Sequence, residues 1–419
     1  MTAPGPPGTR NGSGPAAPAP WTEGLELTGE QRAAQAGFAD FAARVVAPYA
    51  DRWDREERLP GEVVRALADS GHLGAVVPAD QGGSGLDAVT FGLLNEALGH
   101  ACSSVRSLLT VHSMVARAVL RWGSRALRDR WLPALARGTA VGAFALTEPE
   151  AGSDVAGLRA TAEETSGGYR LTGGKRWITC GQFADVFLVF ARCPGGPAAF
   201  LVERDTPGCT VEPVTGMLGT RAAMTGHVDL DGCEVPAEAL VGRVGFGLNA
   251  VAADALETGR YSVAWGSAGL GRACVEAAAR HAATRRQFDR PLAQHQLVQR
   301  LLTEMAVGTG AARLMCLRAG RLLGSRDPQA VEAVWAAKYA AARSAFRAAA
   351  DAVQVHGAHG CGPDSPVQRL LRDAKVMEII EGTTEIQQTV IAQSVVRELA
   401  GPAKGPVPSE NRGAHDDAR

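Results

Sequence analysis

A chain of 419 residues can bury a large core and is long enough for two or three domains. Its 43 Lys and Arg against 44 Asp and Glu nearly cancel, which leaves no electrostatic reason to expect nucleic acid or an anionic membrane as partner. The eight cysteines form no CxxC pair, so reduced thiols and a cytoplasmic location are expected, and no apolar run approaches the length that crosses a bilayer.

The chain opens on MTAPGPPGTRNGSGPAAPAP, which lacks the apolar stretch of a signal peptide. Residues 1–24 are expected to form a disordered tail, and 401–419 another. From 25 to 139 the periodicity is helical. Thr28 and Gln31 have the spacing of a capping box, and Phe38, Phe41, Val45 and Val46 can share one helix face. Pro60 opens another helix that ends near Gly71, and VPADQGGSGLD (77–87) is rich in turn residues.

Between 140 and 246 the segments shorten. ADVFLVFARC and AAFLVE read as buried strands, Tyr169 alternates with Leu171 and Val228 with Leu230, and Gly and Pro punctuate them. A small antiparallel β-domain is expected. From 247 to 400 the pattern is helical again, with Leu297, Leu301 and Met305 on one stripe and Val331, Val334, Trp335 and Tyr339 on another. Helices, strands and helices in separate blocks predict an α+β chain, mostly α, rather than an alternating doubly wound fold.

Several chemistries are disfavoured by absence. No GxGxxG follows a strand. GSAGLG (266–271) sits in a helical pattern, where small residues mean close helix packing. GGK (173–175) lacks the upstream glycine of a phosphate loop, and neither HExxH nor GxSxG occurs. His356 and His359 are expected on the surface or in a loop, since two imidazoles make a poor metal site; no metal is expected.

Four stretches remain: FALTEPEAGSDVAG (144–157), GGKRWITCG (173–181), TRRQFDRPLAQHQ (284–296) and RDAKVMEIIEGTTEIQ (372–387). Singly, each has an ordinary reading: Trp177 as core, Thr147 as a cap, Arg285 and Arg286 as a solvated face, Glu381 as a carboxylate favoured by a helix dipole. In this order they resemble the acyl-CoA dehydrogenase family, over roughly 28–400. The resemblance implies an N-terminal helical domain, a middle antiparallel β-barrel and a C-terminal four-helix bundle. It also implies bound FAD and a homo-oligomer, a tetramer or dimer.

By that resemblance Phe144, Leu146 and Thr147 line the flavin ring, Gly152 and Ser153 approach phosphates or substrate, and Trp177 and Thr179 flank the flavin. Arg285, Gln287, Phe288 and Gln296 reach the FAD of a neighbouring subunit, with Gln354, Gly357 and Ala358 on its adenosine side, while Thr383 and Glu385 face the cofactor. Glu381 is the base. Glycine lets backbone approach a ligand and serine adds a donor. Burial would raise the glutamate from its free pKa of about 4.3 toward the working pH. Relatives that carry the base on an earlier helix would place it at Gly259, which cannot serve; Glu257, two residues away, is the rival. Cys180, Asp289 and Ala358 depart from the family's usual Asn, Gly and Gly, and Cys180 is expected to be a packed thiol.

Arg106 and Thr110 stand one helical turn apart in ACSSVRSLLTVHSMVA. An Arg and a hydroxyl on one face suit a polar or carboxylated acyl group, although the spacing alone equally allows a surface arginine. The segment and GRYSVAWGSAGLGRAC resemble glutaryl-CoA dehydrogenase and, more nearly, acyl-carrier-protein-linked dehydrogenases of hydroxymalonyl or methoxymalonyl extender-unit pathways in polyketide synthesis. Arg260 then falls near the adenine side of the thioester arm. The expected substrate is a short polar acyl group on acyl carrier protein or CoA, with an electron-transferring flavoprotein as acceptor. Ordinary short-chain or glutaryl-CoA α,β-desaturation is the alternative, and a non-catalytic binding protein on the same fold is the alternative of another class.

Overall fold

The computed structural model describes residues 27–400; both expected tails lie outside the described residues. The first block is helical: α1 (Gly29–Phe41), α2 (Ala50–Glu56), α3 (Gly61–Asp69), α4 (Ala88–Ala101), α5 (Ser103–Trp122) and α6 (Arg125–Ala136). The capping box forms, Thr28 Oγ1 accepting from the Gln31 amide and Gln31 Oε1 from the Thr28 amide. Phe38 and Val46 are buried, with Phe41 and Val45 packed against the same core. Asp87 caps α4 by accepting from the amides of Val89 and Thr90. Every residue of α5 from Ser103 to Ala116 is buried, so this helix is enclosed on all sides.

The middle block holds β1 (Gly142–Ala145), β2 (Thr161–Thr165), β3 (Gly168–Ile178), β4 (Val186–Cys193), β5 (Gly196–Glu203), β6 (Cys209–Pro213), β7 (Gly226–Pro236) and β8 (Leu240–Val241). They make one sheet in the order β6-β7-β3-β2-β4-β5-β8, with β1 on β4. One detail departs from a purely antiparallel arrangement. The sheet is mixed, because β1 and β2 each pair parallel to β4. Its ladders run from β6 to β8. The parallel pairs arise because β1 reaches β4 through the long 146–185 crossover rather than a hairpin. Strand β4 packs Leu188 and Phe190 against α5 and α6 and Phe187 and Val189 into the sheet's other core. Burial on both faces explains its unbroken apolar run. His112 on α5 ties the blocks together: its Nδ1 accepts from the Gly142 amide and its Nε2 lies 3.1 Å from the Leu135 carbonyl. Burial pulls this imidazole down to about 4, so it stays neutral and fits both roles.

The last block contains α7 (Ala253–Thr284), a hairpin of β9 (Arg286–Gln287) and β10 (Arg290–Pro291), α8 (Gln296–Ser325), α9 (Ala330–His356), α10 (Pro366–Met377) and α11 (Thr384–Ala400). Helix α7 packs on α4, α5, α8 and α9. The expected apolar stripes are only partly buried. Val334 and Met305 are enclosed, but Val331 is 47% and Leu297 76% exposed. The buried face of α9 is Ala333, Ala337, Ala341 and Ala345, with Lys338 among them, so small residues bring the helices close and the larger ones sit at the margin.

The glycines of 266–271 act as their helical setting implies. A Cβ on Gly269 would lie 2.0 Å from the Glu96 carbonyl oxygen of α4, and one on Gly99 would lie 2.3 Å from the Gly266 carbonyl. Gly269→Ala should therefore force α4 and α7 apart, costing about 1–3 kcal/mol as overpacking does. A thermal melt against wild type reads this out, and an unchanged melting temperature would show that the crossing relaxes freely.

Candidate active site

The turn 146–160 is pinned from inside. Lys175 on β3 is 0% exposed, and its Nζ donates to Glu148 Oε1 at 2.6 Å and to the Phe190 carbonyl at 2.6 Å. Glu148 also accepts from the amides of Arg159 and Ala160. Burial pulls the Lys175 amine down to about 8, against the pull of Glu148, while the hydrogen bonds outweigh burial and hold Glu148 below its ordinary range. We read the pair as ionised at neutral pH, since each partner's remaining hydrogen-bond groups are met. Beside it the Arg176 amide donates to the Thr147 carbonyl at 2.8 Å, which sets Thr147 next to Trp177 and Thr179.

Trp177 is 56% exposed and has φ 60. A bulky aromatic in the left-handed region is an outlier that marks a functional constraint. Its ring stands edge-on to His227 at 5.0 Å. Thr147 and Thr179 are part-buried, and Gly152 and Ser153 are exposed. A Cβ on Gly152 would meet nothing within 4 Å, so protein packing does not demand glycine there. Leu146 is a core side chain that leaves only its backbone near the turn, and Phe144 packs on Phe190.

Glu381 sits in the turn between α10 and α11, with φ 56, followed by Gly382 with φ 93. The residue as a whole is part-buried, yet its Oε2 is enclosed without a hydrogen-bond partner. Gly259 and Glu381 meet in space: a Cβ on Gly259 would lie 2.4 Å from Glu381 Oε2 and 2.9 Å from Met114 Sδ. Glycine at 259 is thus what leaves room for the carboxylate. Burial raises Glu381 above the usual carboxylate range, opposed by the cations Arg260, Lys338 and Arg106. Glu257 points elsewhere, into a separate cavity of about 210 Å³ lined also by Phe91, Arg117, Asp254 and Tyr261.

Arg106 is 1% exposed. Its Nη1 donates to Thr110 Oγ1 at 3.0 Å and its Nη2 to Met377 Sδ at 2.9 Å, while Nε has no partner. Thr110 continues to Ser262 at 2.5 Å, and Ser262 donates to Asn95. The surface placement that spacing allowed is excluded. Arg260, expected on the adenine side, is turned inward. Its Nε donates to the Glu381 carbonyl at 3.1 Å, and its guanidinium lies 3.9 Å above the Trp335 ring. Thr383 accepts from the Ile386 amide as a cap of α11, and Glu385 is exposed.

The remaining sequence-derived residues form a separate, exposed cluster. Arg285, Gln287, Gln296, Gln354, Gly357 and Ala358 are all exposed, and Phe288 is 89% exposed. They gather because His281 on α7 stacks on His356 of α9 at 4.2 Å, with His359 parallel to both. Among the described residues no hydrogen bond or ring contact links this cluster to 144–179. Asp289 takes φ 61 where the pattern has glycine, a conformation aspartate tolerates. Cys180 is wholly buried at φ 62, and burial pushes its thiol well above the usual range, so it is inert. Sequence reasoning missed Lys338, Lys175, Ser262, Asn95 and Met377, none of which carries a spacing signal of its own.

A carboxylate on a strained turn, facing three cations from packed helices, sits in a helix–sheet–helix chain. Three family models match in chain order: the acyl-CoA dehydrogenase N-terminal domain over 28–139, middle domain over 143–233 and C-terminal domain over 246–396. The chain belongs to the acyl-CoA dehydrogenase family. It is 36% identical to an acyl-CoA dehydrogenase of Bacillus subtilis, over 88% of this chain and 98% of that one. Among solved structures it is similar to glutaryl-CoA dehydrogenase from Mycobacterium smegmatis in complex with FADH2, with TM-score 0.84, 30% identity and 88% and 95% coverage. It is also similar to FkbI, for biosynthesis of the methoxymalonyl extender unit of Fk520, with TM-score 0.80, 36% identity and 86% and 99% coverage. The protein is an oxidoreductase acting on CH–CH groups, of a family that uses FAD. No described helix is long and apolar enough to cross a membrane.

Lys175→Met leaves Glu148 buried without its counter-charge, at a cost of about 3–5 kcal/mol. The purified variant should lose both thermal stability and FAD content. A variant as yellow and as stable as wild type would show that the turn does not depend on the pair.

Proposed function

We propose that the protein oxidises a short, polar or carboxylated acyl thioester, of the hydroxymalonyl or methoxymalonyl type on an acyl carrier protein, with Glu381 as base. The observation that carries this is Arg106. It is a fully buried guanidinium with an unpartnered Nε, held only by a hydroxyl and a thioether, weak company for a charge. Among the described residues no carboxylate makes an ion pair with Arg106, Arg260 or Lys338, and Glu381 is the carboxylate that interacts with all three cations, Asp373, Glu257 and Glu378 each facing one of them. Burial lowers Arg106 only to about 10, so it is charged at neutral pH. Three cations without a direct ion-pair partner favour an anionic or strongly polar ligand over a plain alkyl chain.

The residues present fit FAD: an exposed indole at Trp177, part-exposed hydroxyls at Thr147 and Thr179, and open room over Gly152. Phe144, Thr147, Gly152, Ser153, Trp177 and Thr179 would hold it in one subunit. Arg285, Gln287, Phe288, Gln296, Gln354, Gly357 and Ala358 would serve the cofactor of a neighbour in a homo-oligomer. Bound FAD supplies the acceptor for the hydride that leaves the acyl group. Glu381 takes the accompanying proton, from Cα or from a hydroxyl, and its raised basicity from burial suits it to this at neutral pH. Gly259 leaves the space in which that proton is met. An electron-transferring flavoprotein then reoxidises the enzyme.

The second reading is α,β-desaturation of glutaryl-CoA or a short-chain acyl-CoA, favoured by the same arginine if it meets a distal carboxylate. Anaerobic mixing of the purified flavoprotein with butyryl-CoA, glutaryl-CoA and a three-carbon hydroxyacyl group on CoA and on a carrier protein separates them. Flavin bleaching by the carrier-bound hydroxyacyl alone supports the first reading; bleaching by glutaryl- or butyryl-CoA replaces it with the second. Arg106→Leu should weaken the preferred acyl group by about 2–5 kcal/mol, seen as a raised KM. Glu381→Gln should slow bleaching about 10²–10⁴-fold while FAD stays bound. Because Glu381 acts deprotonated, the wild-type rate should rise with pH through a limb above the free-glutamate value of about 4.3.

A further inference from the structure

Lys338 is 0% exposed in the middle of α9. Its Nζ donates to the Gly382 carbonyl at 2.8 Å, which also accepts from Gln387 Nε2 at 3.0 Å. One residue earlier, the Glu381 carbonyl accepts from Arg260, whose guanidinium rests on Trp335, one turn before Lys338 on the same helix. Helices α7 and α9 therefore each deliver one buried cation to one carbonyl of the left-handed 381–382 turn. A non-glycine residue at positive φ persists only where its surroundings over-determine it, and these two donors do so.

We propose that Lys338 is the positioning residue of the base: its ammonium pins the Gly382 carbonyl, keeps Glu381 in its left-handed conformation with the carboxylate against Gly259, and favours the ionised carboxylate by its charge. This rests on Glu381 being the base. The charged groups facing Lys338 are Glu381 in the turn, Arg260 on α7, Arg106 on α5 and Glu378 at the end of α10. Burial pulls its amine down to about 7, with Glu381 opposing. A cation beside a carboxylate lowers the carboxylate's pKa, so removing the charge must raise that of Glu381 and move the acid limb of the rate to higher pH.

Two variants of the FAD-loaded full chain separate the two roles. Lys338→Met removes donor and charge; Lys338→Gln keeps a donor and removes the charge. The readouts are hydrogen–deuterium exchange over 379–387 and the pH profile of anaerobic flavin bleaching by whichever thioester bleaches wild type fastest in the panel of butyryl-CoA, glutaryl-CoA and the three-carbon hydroxyacyl group on CoA and on a carrier protein. Lys338→Met should speed exchange in that segment about tenfold, with little change elsewhere, and shift the acid limb up by about one unit. Lys338→Gln should leave exchange near wild type yet shift the limb by a similar amount. An unshifted limb in both variants, or exchange in Lys338→Met that is unchanged over 379–387 or faster throughout α7–α11, overturns the inference. If no thioester of that panel bleaches wild type, the base reading is the one that has failed, and the exchange arm alone then decides whether Lys338 positions the turn.

Discussion

Helix α7 comes closest to its neighbours where it carries glycine, and the buried polar centre is organised around those positions. A Cβ at Gly269 would strike α4, one at Gly266 would lie 2.8 Å from Arg106 Cδ, and one at Gly259 would occupy the space of the Glu381 carboxylate. The glycines recur along one helix face. These three glycines thus set the distance of α4, admit the buried arginine and leave room for the Glu381 carboxylate. Ser262, on the same side, extends the polar chain from Arg106 through Thr110 to Asn95.

The electrostatics follow from this closeness. Drawing α5, α7, α9 and the 381–382 turn together excludes water, which makes every charge there costly unless it is matched. The molecule matches the Lys175 ammonium fully, with one carboxylate and a backbone carbonyl. Around Glu381 it stops short: Arg106, Arg260 and Lys338 face the carboxylate without an ion pair, and Glu381 Oε2 and Arg106 Nε lack partners. Complete satisfaction under the turn and incomplete satisfaction at Glu381 thus stand side by side within one interior.

Sequence patterns revealed the elements whose signal is local. The Thr28 and Gln31 cap, the enclosed run of β4 and the close packing at GSAGLG could be read directly, since each depends on neighbours in the chain or on a period. The parallel pairing of β1 with β4 could not, because it depends on a partner 44 residues away and alternation does not encode direction. Spacing left Arg106 equally free to be surface or core; only the packing of α5 on α7 decides. Lys338 was invisible for the same reason, being one charge in an alanine-rich helix whose buried face is made of small residues. The strain at Glu381 and Trp177 has no compositional trace, since both are residues that ordinarily avoid positive φ.

The parallel pair has a consequence for how the chain reaches this form. Strand β1 comes straight out of the first helical block, and its partner β4 is synthesised only after the crossover and the β2–β3 hairpin. Contacts of such sequence separation incur a loop-closure cost before they contribute. The apolar face that β4 lays on α5 and α6 stays uncovered until that closure occurs. The first helical block and the sheet are therefore coupled in assembly, and the nascent helices emerge with an incomplete core that only later residues can close.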